Sequence, residues 1–248
     1  MGSILFGIYV FPRYEVKFPS MGALARYFAI SASMIFYFWA MFEALRYTTP
    51  LNTGITYTVV PLFSAVYGIF LLKERVSARN FAVLLAAMFG AVWVIIDGSP
   101  AKLIELDFNK GDLIFLAGCL CIGLYSPLSK LLHKGEPMPV LTLWTMITGT
   151  VWLLLIANVK ILEINYNALD AVFFSGMAYI TVFATIATFF IVQYSSKKLP
   201  VSKVMSYVYL TPVFIILIQT LLGKGLPDAA VIPGIVASLV ATFYFLRS

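Results

Sequence analysis

Two prolines sit in the middle of apolar, helix-length runs 151 residues apart (212 − 61). Pro61 lies in TGITYTVVPLFSAVYGIFLLKER, residues 53–75, and Pro212 in KVMSYVYLTPVFIILIQTLLGKG, residues 203–225. A proline inside a helix removes one backbone hydrogen bond and releases the carbonyl four residues earlier. The carbonyls concerned belong to Tyr57 and Val208. Around them stand Asn52, Thr53, Thr56, Tyr57 and Thr58 in one run, and Ser206, Tyr207, Tyr209 and Thr211 in the other. Such residues offer hydrogen bonds and ring faces to a small solute. In a membrane, irregular backbone is tolerated where protein or a water-filled cavity satisfies it. The bland alternative is a pair of hinges whose hydroxyls bond back to their own helix. On the solute reading, Asn52, Thr56, Tyr57, Tyr207 and Thr211 are the expected substrate contacts, and Pro61 and Pro212 the gating kinks. Tyr125-Ser126-Pro127 supplies a third break. Tyr125 and Ser126 could line the same cavity, or Tyr125 could be a packing residue.

Few ionisable groups compete for a role. Glu43 is the acid nearest a span interior, and an acid placed there is a functional candidate by default. It could carry a coupling proton, but Arg46 at i+3 favours a simple ion pair. Lys73-Glu74-Arg75 closes an apolar run and reads as a topology anchor with local pairing. Gln193 could bind solute or hydrogen-bond across helices.

The elements that must position these residues are membrane helices. Hydrophobic residues make up 61% of the chain and charged residues 11%, far from a soluble domain. Eight apolar spans are expected at roughly 27–45, 50–72, 79–97, 111–132, 138–157, 170–194, 201–222 and 229–246. An apolar stub at residues 3–11 is too short to cross a bilayer of about 30 Å. The start MGSILFGIYVF lacks a basic leader and a small-residue cleavage site, so no signal peptide is expected.

Assigning loops alternately to the two sides puts twelve of the 17 basic residues on one side and five on the other. The acids show the reverse bias. The positive-inside rule then places the C-terminus in the cytoplasm. The net charge of +6 reflects these anchoring residues, and no nucleic-acid partner is expected. Cys119 and Cys121 point to different helix faces and read as small apolar residues. Small residues at four-residue spacing, Ala82, Ala86 and Gly90, then Gly234 and Ser238, predict close helix packing.

The 151-residue offset sets the organisation. The expected domains are a first unit at 1–98, an outside linker at 99–110 and a second unit at 111–248. The second unit holds five spans. Because five is odd, two such units in tandem would be inverted repeats, and matched, interrupted segments in the two halves point to a transport site. The second unit begins at Gly111, so its counterpart would lie about forty residues before Met1. The chain is therefore expected to lack the first span and most of the second. A natural short variant is the alternative.

The stretch ALRYTTPLNTGITYTVVPLFSAVYGIFLLKERVSARNFAVLLAAMFGAVWV, residues 44–94, resembles the EamA-type unit of the drug/metabolite transporter superfamily. The matching features are a helix ending Ala-Leu-Arg-Tyr-Thr, a central Pro-Leu-Phe, Leu-Leu-Lys-Glu-Arg, and a small-residue helix with Gly90. YLTPVF, residues 209–214, repeats it more loosely. The resemblance implies an all-α polytopic fold of two inverted five-helix repeats, here about eight spans and a stub. It also implies a secondary transporter exporting small metabolites such as amino acids, or drug-like solutes, by alternating access. Its expected location is the bacterial cell inner membrane, with dimer contacts through the end helices of each unit. The family's acidic position matches Glu74. Its counterpart 151 residues on is Gly225, so a role needing both copies is not expected.

Enzyme chemistry and cofactors are not expected. There is no Walker-type loop, no metal-ligand spacing and no nucleophile with a nearby base. The rival reading is a transport-inactive membrane scaffold or regulatory protein of the same fold.

Overall fold

The computed structural model describes residues 2–157, 170–223 and 226–247, all helices, turns and connecting loops, with no strand among them. Lys160, Glu163, Lys224 and Gly225, and most of the segment 155–162, lie outside the described residues. The order is α1 (Gly2–Val10), α2 (Met21–Ala44), α3 (Pro50–Tyr57), α4 (Val60–Leu72), α5 (Ala78–Ile95), α6 (Pro100–Ile104), α7 (Lys110–Leu132) and α8 (Met138–Ala157). After these come α9 (Ala171–Tyr179), a π-helical stretch (Ile180–Ala187), α10 (Thr188–Lys198) and α11 (Val201–Ser206). A 3₁₀ turn (Tyr207–Leu210), α12 (Thr211–Leu221), a second 3₁₀ turn (Ala229–Val231) and α13 (Ile232–Arg247) complete the chain.

Among the described residues, seven helical segments are long and apolar enough to cross a membrane. The eighth expected span forms the shorter helix Ala229–Phe245. Its length is about 25 Å at 1.5 Å per residue, short of a hydrocarbon core of about 30 Å. The stub at 3–11 folds as α1.

Both proline-centred spans break just before the proline. The first divides into α3 and α4 around Thr58 and Val59, with Pro61 in the opening turn of α4. The second passes from α11 through the 3₁₀ turn into α12, with Pro212 in its opening turn. Proline is tolerated there because a first-turn N–H has no helical partner. Helix starts recur at one offset. Val201, Thr211 and Ala229 follow Pro50, Val60 and Ala78 by 151 residues each (201 − 50, 211 − 60, 229 − 78). One expectation needs correction: the Val208 carbonyl is not free, because it accepts the Thr211 N–H in the tighter winding of the 3₁₀ turn.

The chain forms two compact units, Met1–Ile35 with Leu128–Lys198, and Phe36–Pro127 with Leu199–Ser248. In the first, α1 lies on α8, with Ser3 Oγ 3.2 Å from the Met146 carbonyl and Phe6 and Val10 buried against Val140, Leu143 and Met146. The N-terminal part of α2 crosses α8 where Thr148 Oγ1 lies 3.1 Å from the Tyr27 carbonyl and 3.0 Å from Ser31 Oγ. Gln193 on α10 is 1% exposed, accepts from Thr142 and donates to Thr145 on α8. Of the two readings open for Gln193, the cross-helix bond is the one the structure contains.

In the second unit, α5 and α13 touch backbone to backbone. A Cβ on Gly90 would fall 2.9 Å from Ala237 Cβ and 3.0 Å from the Gly234 carbonyl, so the small-residue stripe closes one helix onto the other. α4 meets α7 in the same manner. Pro127 sits inside α7 and cannot bond the carbonyl of Gly123. Ser64 Oγ of α4 donates to that carbonyl at 2.9 Å. A Cβ on Gly123 would stand 3.0 Å from Phe63 Cβ. The released carbonyl is thus satisfied by a hydroxyl from the neighbouring proline-broken span.

Candidate functional site: a cavity between the two proline-broken spans

The second unit encloses a cavity of about 480 Å³. α3 contributes Thr53, Gly54 and Tyr57, and the break after it Thr58; α12 and the turn before it contribute Val208, Tyr209, Thr211, Pro212, Ile215 and Gln219. Tyr37 and Met41 of α2, the end of α5 from Ala91 to Asp97, and Phe115 of α7 complete the wall. Its chemistry is ring faces and hydroxyls on an apolar surface. Tyr37 bridges the rings of Tyr57 and Phe115, at centroid distances of 5.9 Å to each. Asp97 is the one ionisable acid in the lining, and no lysine or arginine lines it among the described residues. Asp97 is exposed and paired with Lys102.

Two of the seven expected substrate contacts, Tyr57 and Thr211, line this cavity, as does Pro212. The other five stand elsewhere. Tyr207 is 37% exposed and is not in the lining, while Tyr209 lines it. The reason is the 3₁₀ winding, which advances about 120° per residue instead of 100° and re-phases the side chains. Asn52 is buried and committed: its amide donates to Asp112 at 3.2 Å and to the Asp107 carbonyl at 3.1 Å. Thr56, Tyr125 and Ser126 are buried in packing, at 9%, 3% and 0% exposure. Pro61 and Pro127 are likewise outside the lining.

Asp112, a residue that sequence reasoning did not single out, is 1% exposed. It accepts from Thr48, Asn52 and the Asn109 N–H, the last at 2.8 Å. With Asn109 Oδ1 accepting the Gly111 N–H, this is a capping arrangement that starts α7 and ties α3 to it. The pattern Asn-x-x-Asp at 109–112 was the available signal. Glu43 forms an ion pair with Arg46 at 3.1 Å and accepts from Tyr47, and it does not line the cavity.

The cavity lies toward one end of the spans. Its residues come from the C-terminal parts of α2 and α5, the start of α7, the N-terminal half of the first broken span and the C-terminal half of the second. Asp97, Ile216 and Gln219 also border a smaller cavity of about 190 Å³ that reaches Leu226, Pro227 and Asp228. The opposite end is packed. Five of the six residues of α11 are buried, whereas none in α12 is. There Glu74 Oε2 accepts the Val201 N–H at 2.9 Å.

The EamA-like transporter family profile matches residues 1–96 and 109–247. The chain is 25% identical over 215 residues to YyaM, an uncharacterized transporter of Bacillus subtilis (strain 168), covering 86% of this chain and 70% of that protein. It is 20% identical over 186 residues to YetK, another uncharacterized transporter of that organism, covering 73% of this chain and 54% of that protein. The chain thus spans between about half and seven-tenths of these relatives' lengths. A crystal structure of a protein 17% identical to this chain matches its fold with a TM-score of 0.76, over 97% of this chain and 81% of the other.

Proposed function

Because the chain belongs to the EamA-like transporter family and is an integral, multi-pass membrane protein, we propose that it exports small amphipathic solutes by alternating access. The cavity between the broken spans is the solute site. The observation that carries this is the lining itself, in which both proline-broken spans present tyrosine and threonine to one apolar space. Ring faces and hydroxyls suit neutral or zwitterionic solutes, such as amino acids, and ring faces also suit lipophilic cations. A lining with a carboxylate at its rim and no base among the described residues disfavours anions. The two repeats are inverted, and the end of the cavity near Asp97 and Asp228 faces away from the cytoplasm, in line with the charge bias of the loops.

Metabolite profiling of the medium of cells with and without the gene tests this proposal. The expected result is a set of amine-bearing or neutral solutes that accumulate outside only when the gene is present. Tyr57→Ala and Thr211→Ala should each reduce that accumulation about tenfold or more at unchanged membrane abundance, since each removes contacts from a small site. Identical profiles with and without the gene would overturn it.

A further inference from the structure

Glu74 occupies a constructed position. Lys73 takes the left-handed conformation (φ 55°), and the Glu74 N–H bonds the Gly68 carbonyl at 3.1 Å, the wrap-around turn that ends α4. This turn folds the Glu74 carboxylate back over its own helix. Gly68 leaves the room, since a Cβ there would lie 3.1 Å from Glu74 Oε2 and 3.6 Å from Val201 Cβ. The carboxylate then takes the Val201 N–H at the start of α11. Pro200 stands at the cap position and has no side chain that could do so.

The repeat offset makes this contact one-sided. Counterparts 151 residues away are Gly225 for Glu74 and Pro50 for Val201 (225 − 74, 201 − 50). Glycine has no carboxylate and proline no N–H, so the equivalent pairing lacks both its acceptor and its donor. Gly225 lies outside the described residues, and only its residue type enters here. The cavity lining comes from the end of the spans away from Glu74, and at the Glu74 end five of the six residues of α11 are buried.

We infer that Glu74 is a one-sided latch: its bond to the Val201 N–H holds the two broken spans shut at one end of the cavity, and the absence of the equivalent pair leaves the other end free to open. This rests on the transporter reading above. Glu74 is a positioning residue; it does not line the solute cavity.

The test uses the full chain in detergent micelles with Cys119 and Cys121 replaced by alanine, and a water-soluble maleimide as probe. One cysteine is placed at the packed end, Val204→Cys, or at the open end, Ile215→Cys. Glu74→Ala, and separately Val201→Pro, should raise the Val204→Cys labelling rate about tenfold and lower that of Ile215→Cys, because a hydrogen bond to a charged group is lost at the closed end. Val201→Pro deletes the donor at a helix position that accepts proline; Val201→Ala, which keeps the N–H and trims the same buried side chain, is its control, and the pair decides the matter if Glu74→Ala does not fold. Glu74→Gln keeps an acceptor oxygen and should change either rate less than threefold. Unchanged labelling in folded Glu74→Ala and Val201→Pro would overturn the latch. So would a rise at both positions, which would mean simple loosening. Labelling does not depend on flux, so the expected shift in a chain that moves no solute would overturn the transport reading and leave the latch standing.

Discussion

Ser64→Ala removes the hydroxyl that the structure gives to the Gly123 carbonyl, and the size of the effect follows from two facts. Ser64 is 0% exposed, and its bond length is 2.9 Å. Pro127 bars the normal helical donor, so the carbonyl would be left buried with nothing replacing the bond. An unsatisfied buried group costs about 1–3 kcal/mol. Side-chain bonds within membranes average about 0.6 and reach about 1.7 kcal/mol. The two ranges overlap at about 1–2 kcal/mol. At roughly 2–4 °C per kcal/mol for a chain of this size, thermal unfolding in detergent should shift down by about 2–8 °C. The decisive arm is the same substitution in a Pro127→Ala background. Alanine restores an N–H to position 127, α7 can bond its own Gly123 carbonyl, and Ser64→Ala should then cost less than about 0.5 kcal/mol. The two changes should therefore couple by about 1 kcal/mol in a double-mutant cycle. Equal losses in the two backgrounds would refute the account of how α7 accommodates its proline.

Gly90→Val should lower the melting temperature by several degrees. Its Cβ would sit 3.0 Å from the Gly234 backbone carbonyl, which cannot rotate away, and such overpacking costs about 1–3 kcal/mol; an unchanged melt would refute the backbone contact of α5 and α13. Asp112→Asn should destabilise by about 1–3 kcal/mol, because three donors converge on a carboxylate and an amide turns an N–H₂ toward one of them. Thermal melts at neutral pH check it, and parity with the parent would show that the Asp112 bonds carry no net stability.

The broken spans were legible because proline writes its constraint into one position, and the helix starts at Pro50, Val60, Val201 and Thr211 follow from it. Tyr57 and Thr211 were legible in the cavity for the same reason. Tyr37, Phe115 and Gln219 were not, since their facing toward the cavity depends on tertiary packing that residue type and spacing do not set. Tyr207 and Tyr209 exchanged roles because one 3₁₀ turn changes the angular step, which periodicity cannot anticipate. Asn52 looked like a solute contact by residue type alone. Its partner Asp112 is 60 residues away in sequence and becomes visible only when α3 and α7 are side by side.

The 3₁₀ turn at Tyr207–Leu210 also sets the angle at which α12 leaves α11. Four residues wound at about 120° each turn the chain by about 80° more than the same four wound as α-helix. Rewinding that single turn would rotate all of α12 about its axis by that angle while α11 stayed fixed. Ile215 and Gln219 would sweep off the cavity wall, and another face of α12 would replace them. The half-buried residues Pro212, Val213, Ile216 and Thr220 would exchange their neighbours in that rotation. A change of winding in these four peptide units beside Pro212 would therefore change which face of α12 meets the cavity.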